Sequence, residues 1–508
     1  MTETKEIIRP YFDIFEDVVE DNSADWLQYR DYRDVNANYA DENYEFRIVM
    51  DKLQEFFLPH KSYLEIKGKI LKADGTNFTV NDNIALQNNA AGIMSRYEFR
   101  MNEQVADYID YAETTNTAQN IIYNSKEYNS SIASQQLFYA DTADNRNLDS
   151  NNNAPNHLFQ YSADAGATWN NITQANTLAK EDVDGDVVLQ LVGGVADTDL
   201  IRVNPHTVAN TYDSLETVNQ GHRKRWQLTN GSRSFVVHIP LKNIFGLLKS
   251  WQEVTRGITL TLRMQRNDNR YLFLGDPATA GVTTAKLQIE QLIWWVPYVM
   301  PNSKTLPMLE SKLSSQLSHT IPFLDVQTYR SNKQTGQANN RLYQLRSKRS
   351  RPVRVFVFFQ TAARYEGNNG QCKRVFDNIG ITNMYLNLNS SIQYPEREYK
   401  TLFGDGTAGS ADDYARVYSE FLRCSLKDHD LDQSGIVDYQ NFKTLYPIFC
   451  FDLTERFTNS MDPEKSLIEI FYSNDRAVDH YMWIMVESEV KLKLSCNKGQ
   501  MKYENVVY

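Results

Sequence analysis

Short segments in which apolar and polar residues alternate recur along the whole chain, and they constrain the fold more than any other feature. In Ser62–Ile70, leucine and isoleucine occupy one side of an extended chain while lysine and glutamate occupy the other. This period-two alternation is typical of a strand with one face in water. Similar segments follow at Arg96–Met101, Asp186–Val192, Ser234–Pro240, Ile258–Met264, Lys286–Glu290, Pro352–Phe359, Met384–Leu388, Pro447–Leu453, Ser466–Phe471 and Tyr481–Val486. Many short strands with few helical patterns predict stacked antiparallel sheets.

The chain length predicts two such units. A chain of 508 residues is too long for one core, and two domains of roughly 200 residues are the default. Met300–Thr305 is a polar, proline-bearing connector, which is typical of a domain boundary. We therefore predict five segments: an N-terminal arm at 1–42, a first β-sandwich at 43–300 with long loop insertions at about 110–230, a linker at 301–304, a second β-sandwich at 305–495 and a C-terminal tail at 496–508.

Two pairs of similar segments, which we call echoes, indicate that the two halves of the chain are related. Tyr97–Asn102 resembles Met384–Asn389, because each is a strand that runs into an asparagine-led turn. Phe235–Leu241 resembles Phe449–Leu453, because each is an apolar strand that ends on a polar residue and leucine. The order is the same in both halves, which makes a duplication plausible.

Charge and hydropathy exclude two classes of protein. The formal net charge of −11 argues against a surface whose main task is to bind nucleic acid. The most apolar stretch, Leu292–Met300, is interrupted by Pro297. It is shorter than the 20 or so residues that a membrane span needs. The opening residues, Met1–Glu6, lack the apolar segment of a secretory signal.

Motifs for catalysis are missing from the sequence. Its eight histidines are scattered and form no HExxH motif, and neither a GxSxG motif nor a P-loop occurs. The four cysteines have no metal-type spacing, which favours free thiols in a reducing compartment. We therefore expect no enzyme activity.

Several segments, taken in order, carry a resemblance to a known family. They are SYLEIKGKILKADGT and NIALQNNAAGIMSRYEFRMN within 61–102, FVVHIPLKNIFGLL from Phe235, RVFVFFQT from Arg354, YLNLNSSIQYP from Tyr385 and YPIFCFDLTERF from Tyr446. Together they resemble the double jelly-roll major capsid proteins of polintons, adintoviruses and virophages, in the adenovirus-type lineage. The resemblance implies an all-β fold of two tandem eight-stranded jelly-roll β-sandwiches with long loops.

The resemblance also implies a function. Proteins of that family form homotrimeric, pseudo-hexagonal capsomers that assemble into the icosahedral shell of a double-stranded DNA virus or virus-like element. The expected partners are copies of the same chain, penton proteins and minor capsid proteins, without sequence-specific nucleic-acid binding. The expected location is the virion, after assembly in the host cytoplasm or nucleus. The alternative is a β-sandwich spike or adhesin that binds a glycan.

One segment of the second half follows the calcium-loop template. Asp430, Asp432 and Ser434 take the first, third and fifth positions, a glycine takes the sixth, and Asp438 lies further along the loop. Asn441 stands where a bidentate glutamate is expected, so any affinity should be weak. The β-rich surroundings supply no obvious pair of flanking helices. The segment is either a weak calcium site or an acidic surface loop, and no other cofactor is expected.

A basic stretch stands out from the acidic whole. Arg346, Lys348, Arg349 and Arg351 could contact packaged DNA, an inner membrane or an acidic neighbouring subunit. Alternatively, they are edge charges of a solvated strand that discourage wrong pairing. A second basic run, His222–Arg225, is interpreted as a charge cluster in a loop, with a nuclear import signal as the alternative.

Aromatic residues in the strongest strands are candidates for packing between the domains. They are Trp294, Trp295, Phe356, Phe358 and Trp483. The alternative for each is the ordinary core of one domain.

Overall fold

The computed structural model describes residues 24–35, 39, 42–48, 56–148, 159–162, 170–171, 177–183, 186–192, 200–203, 218–229, 233–314, 318–336, 338–346, 352–389, 392–401, 413–425, 435–454, 467–497 and 500–507. Within these ranges every strand pairing is antiparallel.

The first half of the chain forms a sandwich of two sheets. Its strands are β1 (Ala24–Arg33), β2 (Asn43–Ile48), β3 (Phe56–Phe57), β4 (Tyr63–Leu71), β5 (Ile84–Leu86), β6 (Met94–Met101), β7 (Gln104–Asp110), β8 (Phe159–Ser162), β9 (Asn170–Asn171), β10 (Thr177–Val183), β11 (Asp186–Val192), β12 (Leu200–Val203), β13 (Ser234–Pro240), β14 (Leu260–Arg266), β15 (Phe273–Gly275) and β16 (Lys286–Pro301). Sheet 1a has the order β1-β16-β4-β13, with β3 also paired to β16, and sheet 1b has the order β2-β14-β6-β7. The small sheets β12-β8-β9 and β10-β11 belong to the long connection between β7 and β13, and β15 pairs with β5.

The second half forms another sandwich. Its strands are β17 (Ser318–Arg330), β18 (Ala338–Arg346), β19 (Pro352–Thr361), β20 (Ile381–Leu388), β21 (Ile392–Lys400), β22 (Phe449–Asp452), β23 (Leu467–Asn474), β24 (His480–Asn497) and β25 (Gln500–Val507). Sheet 2a has the order β17-β24-β19-β22, with β25 also paired to β24, and sheet 2b has the order β18-β23-β20-β21.

Both sandwiches have the same strand order. When the eight strands that form the two main sheets are counted along the chain in each half, the sheets read 1-8-3-6 and 2-7-4-5 both times. Eight strands that wind through two facing sheets in this way form a jelly roll. The predicted double jelly roll is therefore confirmed.

The two sequence echoes fall on equivalent strands. Tyr97–Met101 lies on β6 and Met384–Leu388 on β20, and both strands are fourth in their sandwich. Asn102 and Asn389 follow with positive φ angles of 47° and 51°. The second echo lies on β13 and β22, which are both sixth. The two halves therefore share topology and local turn chemistry.

Helices occupy connections between the strands. They are α1 (Ala112–Tyr123), α2 (Lys126–Ser130), α3 (Gln220–Leu228), α4 (Gly246–Ser250), α5 (Thr305–Ser314), α6 (Ala362–Glu366), α7 (Ala415–Cys424) and α8 (Tyr439–Leu445). Single 3-10 turns lie at Pro59–Lys61, Ala90–Ile93, Ile132–Gln136, Leu241–Asn243, Asn269–Tyr271 and Val282–Thr284.

Each sandwich encloses an apolar core between its sheets. Strand alternation points Leu64 and Trp294, which are paired neighbours, into the first core, where Trp294 meets Phe99 edge-on at 6.4 Å between ring centroids. In the second core, Phe359 packs 5.2 Å from Tyr472 of the facing sheet. All five side chains are at most 3% exposed.

The segments at the predicted domain edges contribute strands. Part of the predicted arm, Ala24–Arg33, is β1 and pairs with β16. The predicted linker at 301–304 begins on the last residue of β16, Pro301, and runs to the start of helix α5. Within the predicted tail, β25 pairs with the end of β24.

Candidate functional site at the junction of the sandwiches

The outer face of sheet 2a is where the two sandwiches meet. Because Phe359 points into the second core, alternation directs Phe356 and Phe358 outward, beside Trp483 of the neighbouring β24. These three outward rings are fully buried. Helix α1 of the first sandwich covers them, with Tyr123 6.4 Å from Phe356 and Tyr111 5.3 Å from Trp483 between ring centroids. Of the aromatic candidates, Phe356, Phe358 and Trp483 therefore pack between domains.

The other two aromatic candidates lie in the first sandwich. Trp294 is fully buried in its core, whereas Trp295 points to the outer face of sheet 1a and is partly exposed. Neither takes part in the junction described above.

A buried polar network crosses the junction beside the aromatic rings. Tyr123 of α1 donates a hydrogen bond of 2.6 Å to Glu487 on β24, and Arg354 Nη1 lies 3.2 Å from the same carboxylate oxygen. Burial raises the pKa of Glu487, while the hydrogen bond from Tyr123 and the charge of Arg354 oppose that shift. Removing one member of such a buried pair leaves a charge uncompensated, which costs about 3–5 kcal/mol.

Strand β17 is held against the first sandwich along its length. The Thr115 hydroxyl donates to Thr328 at 2.7 Å, and Gln327 donates to the Tyr108 hydroxyl at 3.0 Å. At Gly246, an added Cβ would lie 1.9 Å from the Leu324 carbonyl oxygen. The absence of a side chain there lets α4 lie directly on the β17 backbone.

The two cores also share strands. Ile321 and Phe323 of β17, together with Val490, Leu492 and Leu494 of β24, belong to the apolar cluster of the first sandwich, although both strands are part of sheet 2a. The junction is thus an extension of both cores, and the two sandwiches stand side by side with a continuous apolar contact.

The long connections of both halves meet at one end of this pair. Arg225 of α3 forms a 2.6 Å ion pair with Asp141, and both side chains are fully buried. The Asp141 backbone N–H donates to the Tyr446 hydroxyl at 2.9 Å, and the Cys372 thiol donates to the Asp141 carboxylate at 3.3 Å. Tyr446 and Cys372 come from connections of the second sandwich, so the loops of both halves lie together.

This arrangement corrects the interpretation of His222–Arg225 as a charge cluster in a loop. The segment lies within helix α3, and both His222 and Arg225 are buried. The sequence could not reveal this, because the partner of Arg225, Asp141, is 84 residues away.

Of the predicted anionic-partner residues, only Arg346 is described, and it falls at the other end. Arg346 is exposed and is the last residue of β18. Strands cross the sandwich from end to end, so the β18–β19 connection lies opposite the β19–β20 and β21–β22 connections that carry Cys372 and Tyr446. Lys348, Arg349 and Arg351 lie outside the described residues.

The predicted calcium loop is only partly described. Asp430, Asp432 and Ser434 lie outside the described residues. Asp438 caps helix α8, where its carboxylate accepts hydrogen bonds from the Asn441 backbone N–H at 2.8 Å and from the Asn441 side chain at 3.1 Å.

The expectation that no helices flank this loop was wrong. Helix α7 precedes it and α8 follows it, and the Phe421 and Phe442 rings of the two helices pack 5.0 Å apart. The Tyr418 hydroxyl of α7 donates to the Val437 carbonyl at 3.1 Å. The alternating pattern of the strands around the segment hid this local helix pair.

Two features are absent from the described part of the chain. Its histidine, cysteine and acidic side chains form no group of three that could hold a metal ion. None of its helices is both long enough and apolar enough to cross a membrane. The cysteines whose side chains are described, Cys372, Cys424 and Cys450, are free and buried.

The fold and the junction define a class: a protein of two fused jelly rolls packed side by side. A family of this description, the double jelly roll-like domain, matches residues 204–471, which is more than half of the chain. The chain therefore belongs to the double jelly roll-like domain family.

Solved structures with a similar fold come from viruses. A structure from the Sputnik virophage is 11% identical, with a TM-score of 0.54 and coverage of 99% of this chain and 93% of that one. The mavirus major capsid protein is 11% identical with a TM-score of 0.44, over 100% of this chain and 97% of that one. The Faustovirus major capsid protein is 8% identical with a TM-score of 0.45, over 92% and 90%. No curated protein matched the sequence.

Proposed function

We propose that this chain is a major capsid protein, whose homotrimers are pseudo-hexagonal capsomers of an icosahedral shell around double-stranded DNA. The observation that carries this proposal is the repeated strand order, 1-8-3-6 over 2-7-4-5, in two sandwiches that stand side by side. Three such chains bring six sandwiches of like topology around one axis, so a single gene product can fill a hexagonal lattice. The fold shared with the Sputnik virophage structure supports the same role.

The expected partners follow from this role. Copies of the chain form the lattice, and penton and minor capsid proteins contact its edges. The protein acts in the virion after assembly in the host cytoplasm or nucleus, and it performs no catalysis.

The experiment is to express the full chain and examine it by light scattering and negative-stain electron microscopy. Trimers with a hexagonal outline, or closed particles, are expected. A lasting monomer that binds glycans would overturn the capsid proposal in favour of a β-sandwich adhesin.

We also propose that the basic end of the second sandwich faces the interior of the shell. The support is that Arg346 ends β18, at the end opposite the meeting long loops, and that Lys348, Arg349 and Arg351 follow it in the sequence before β19 begins. In this orientation the long loops point outward, and the basic connection contacts an anionic partner, of which packaged DNA is the simplest. Replacing Lys348 and Arg349 by glutamine should reduce the DNA content of particles without preventing trimer formation, as measured by nuclease-protected nucleic acid. Unchanged DNA content would contradict this orientation.

The third proposal is that the loop at 430–441 binds calcium weakly. Its support is the spacing of Asp430, Asp432 and Ser434 in the sequence and the helix pair α7 and α8 around it. Isothermal titration calorimetry should give calcium heats for the native chain and none for an Asp430→Ala/Asp432→Ala variant. Asp413→Ala, outside the loop, is the matched control and should bind as the native chain does. Identical traces for all three proteins would contradict calcium binding and would indicate that the segment is an acidic surface loop.

A further inference from the structure

Three connections of the first sandwich enclose a pocket of 420 Å³ at the end where the long loops meet. They are the connection from β4 to β5, the connection from β7 to β13, which carries helix α3, and the connection from β15 to β16. The volume lies within the range of small-molecule sites in proteins. We call it the Trp226 pocket, after the residue of α3 that lines it.

Hydrogen bonds between the three connections hold the walls of the Trp226 pocket in place. His222 Nε2 of α3 lies 2.8 Å from Asn83 Oδ1, and Asn83 Nδ2 donates to the Arg146 carbonyl at 3.0 Å. The Asp276 backbone N–H donates to the Asn83 carbonyl at 2.9 Å, and Arg146 Nε lies 3.1 Å from Asp276 Oδ1. Since one asparagine ties all three connections together, the pocket is formed before any ligand enters.

The indole ring of Trp226 is fixed at the wall of the pocket. Its Nε1 donates to the Asp82 carbonyl at 2.9 Å, and the guanidinium carbon of the buried Arg233 lies 4.8 Å from the ring centroid. Arg233 thereby covers one face of the ring, while the ring stays partly exposed and lines the pocket. The negative face of an aromatic ring attracts C–H groups, so a fixed indole is a platform for the apolar face of a ring-shaped ligand.

The pocket also presents side chains that can bond a polar ligand. Asn81, Gln227 and Thr279 line it with amide and hydroxyl groups, which both donate and accept hydrogen bonds. Arg223, exposed on the same helix as Trp226, adds a guanidinium. Among the described residues, none of these four polar side chains has a hydrogen-bond or ion-pair partner. The described part of the chain therefore leaves them available to a ligand.

The uncompensated charge of the pocket is positive. Of the described residues that line it, Arg223 and Asp276 are charged. Asp276 already pairs with Arg146, whereas a guanidinium such as that of Arg223 binds a carboxylate through two parallel hydrogen bonds. The pocket therefore favours an acidic ligand over a neutral one.

We propose that the Trp226 pocket binds a carbohydrate that carries a carboxylate. The sugar ring packs on Trp226, and its carboxylate pairs with Arg223. Its hydroxyl groups bond to the amides of Asn81 and Gln227 and to the Thr279 hydroxyl. The site lies within one chain, so it goes beyond the proposed shell function. Only its setting rests on that function, because the capsomer orientation proposed above turns this end outward, where surface glycans are met.

The first test compares acidic and neutral sugars on the native full chain. Saturation-transfer NMR and calorimetry are used with methyl glucuronide and methyl N-acetylneuraminate as acidic probes. Methyl glucoside is the neutral probe, and it differs from methyl glucuronide only at the carboxylate. At least one acidic probe should saturate the protein in the millimolar range, and the glucoside should bind about tenfold more weakly or not at all.

The second test removes a positive charge at neighbouring positions of α3. Arg223→Ala should weaken binding of the acidic sugar about tenfold. Lys224→Ala is the matched control, because Lys224 is equally exposed but lies over the Tyr139 ring and outside the pocket lining, so binding should match that of the native chain. Trp226→Ala should abolish binding of every sugar, with circular dichroism melting to check that the variant is folded.

Three results would overturn the inference. They are an absence of binding by both acidic probes, equal binding of glucuronide and glucoside, and equal effects of Arg223→Ala and Lys224→Ala. None of them touches the capsid proposal, because the pocket lies within one chain. Conversely, a native chain that stays monomeric at high concentration would overturn the proposed function and leave the sugar measurements as they stand.

Discussion

Asn102 and Asn389 close equivalent turns with the same hydrogen bonds. The Asn102 backbone N–H donates to the Thr259 carbonyl at 2.9 Å, and the Thr259 N–H donates to Asn102 Oδ1 at 3.1 Å. Asn389 makes the same pair with Leu467, at 2.9 Å each. Asparagine tolerates the left-handed backbone that both positions require, so the residue identity follows from the turn.

Substitution at these turns should separate the contribution of the side-chain hydrogen bond from that of the left-handed backbone. Asn102→Ala loses both the side-chain acceptor and the tolerance of a positive φ, and we expect the free energy of unfolding to fall by about 2 kcal/mol. Asn102→Gly keeps the backbone freedom and should lose about 1 kcal/mol. Denaturant titration measures both, and Asn389 should repeat the order. Alanine and glycine variants as stable as the native chain would contradict this account.

Glu113, at the start of α1, makes the stability of the junction depend on pH. Burial raises the pKa of Glu113 to about 7, with Arg374 and Arg330 opposing the shift and Asp110 reinforcing it. Because the folded-state pKa is above the unfolded value of 4.5, this contribution to stability is complete below pH 4.5 and is lost as pH rises to about 7.

The expected result is a difference between the native chain and Glu113→Gln that varies with pH. From pH 4.5 to 7.5, the free energy of unfolding of the native chain should fall relative to that of Glu113→Gln. The fall should be up to about 3 kcal/mol, the limit set by the pKa shift. Chemical denaturation of both proteins across this range measures it. A difference that stays flat with pH would show that Glu113 titrates normally.

At the scale of elements, strands were more predictable than helices. Alternation located many strands of both sandwiches, because one face contacts a core and the other meets water. Strands β19 and β24 lack this contrast, since the outward rings of Phe356, Phe358 and Trp483 are buried at the junction; they were located by their apolar, β-branched and aromatic residues instead. Helix α1 has no such signal: Thr115, Asn116 and Thr117 are as buried as Ile121, since the helix lies between two sandwiches. A helix covered on all sides shows no amphipathic stripe. Helices α7 and α8 were hidden by the strands around them.

Helix α4 makes the closest backbone approach to β17 described above, and Gly246 permits it. We expect Gly246→Ala to push α4 away from Leu324 and to lower the free energy of unfolding by about 1–3 kcal/mol, in the range of core overpacking. Ser250→Ala, at an exposed position of the same helix, is the control and should change stability by less than about 0.5 kcal/mol. Equal denaturation midpoints for the two variants would mean that α4 does not pack tightly against the Leu324 backbone at Gly246.

At the scale of the whole molecule, the number of sandwiches followed from the sequence but their arrangement did not. Length, strand count and two echoes predicted a pair. The junction depends on contacts such as Tyr123 with Glu487, which are 364 residues apart. Nothing local in the sequence marks such a pair, because each residue is ordinary in its own segment. The same reason explains why the ion pair of Arg225 with Asp141 could not be foreseen.

The central claim is that two like sandwiches in one chain make a threefold particle with six lobes. Single-particle cryo-electron microscopy of the purified protein tests it most directly. We predict three chains around one axis, with six jelly rolls at near-equal angular steps and the long loops at one end. A particle with any other number of chains, or one in which the two sandwiches of each chain lie at different radii, would contradict the account.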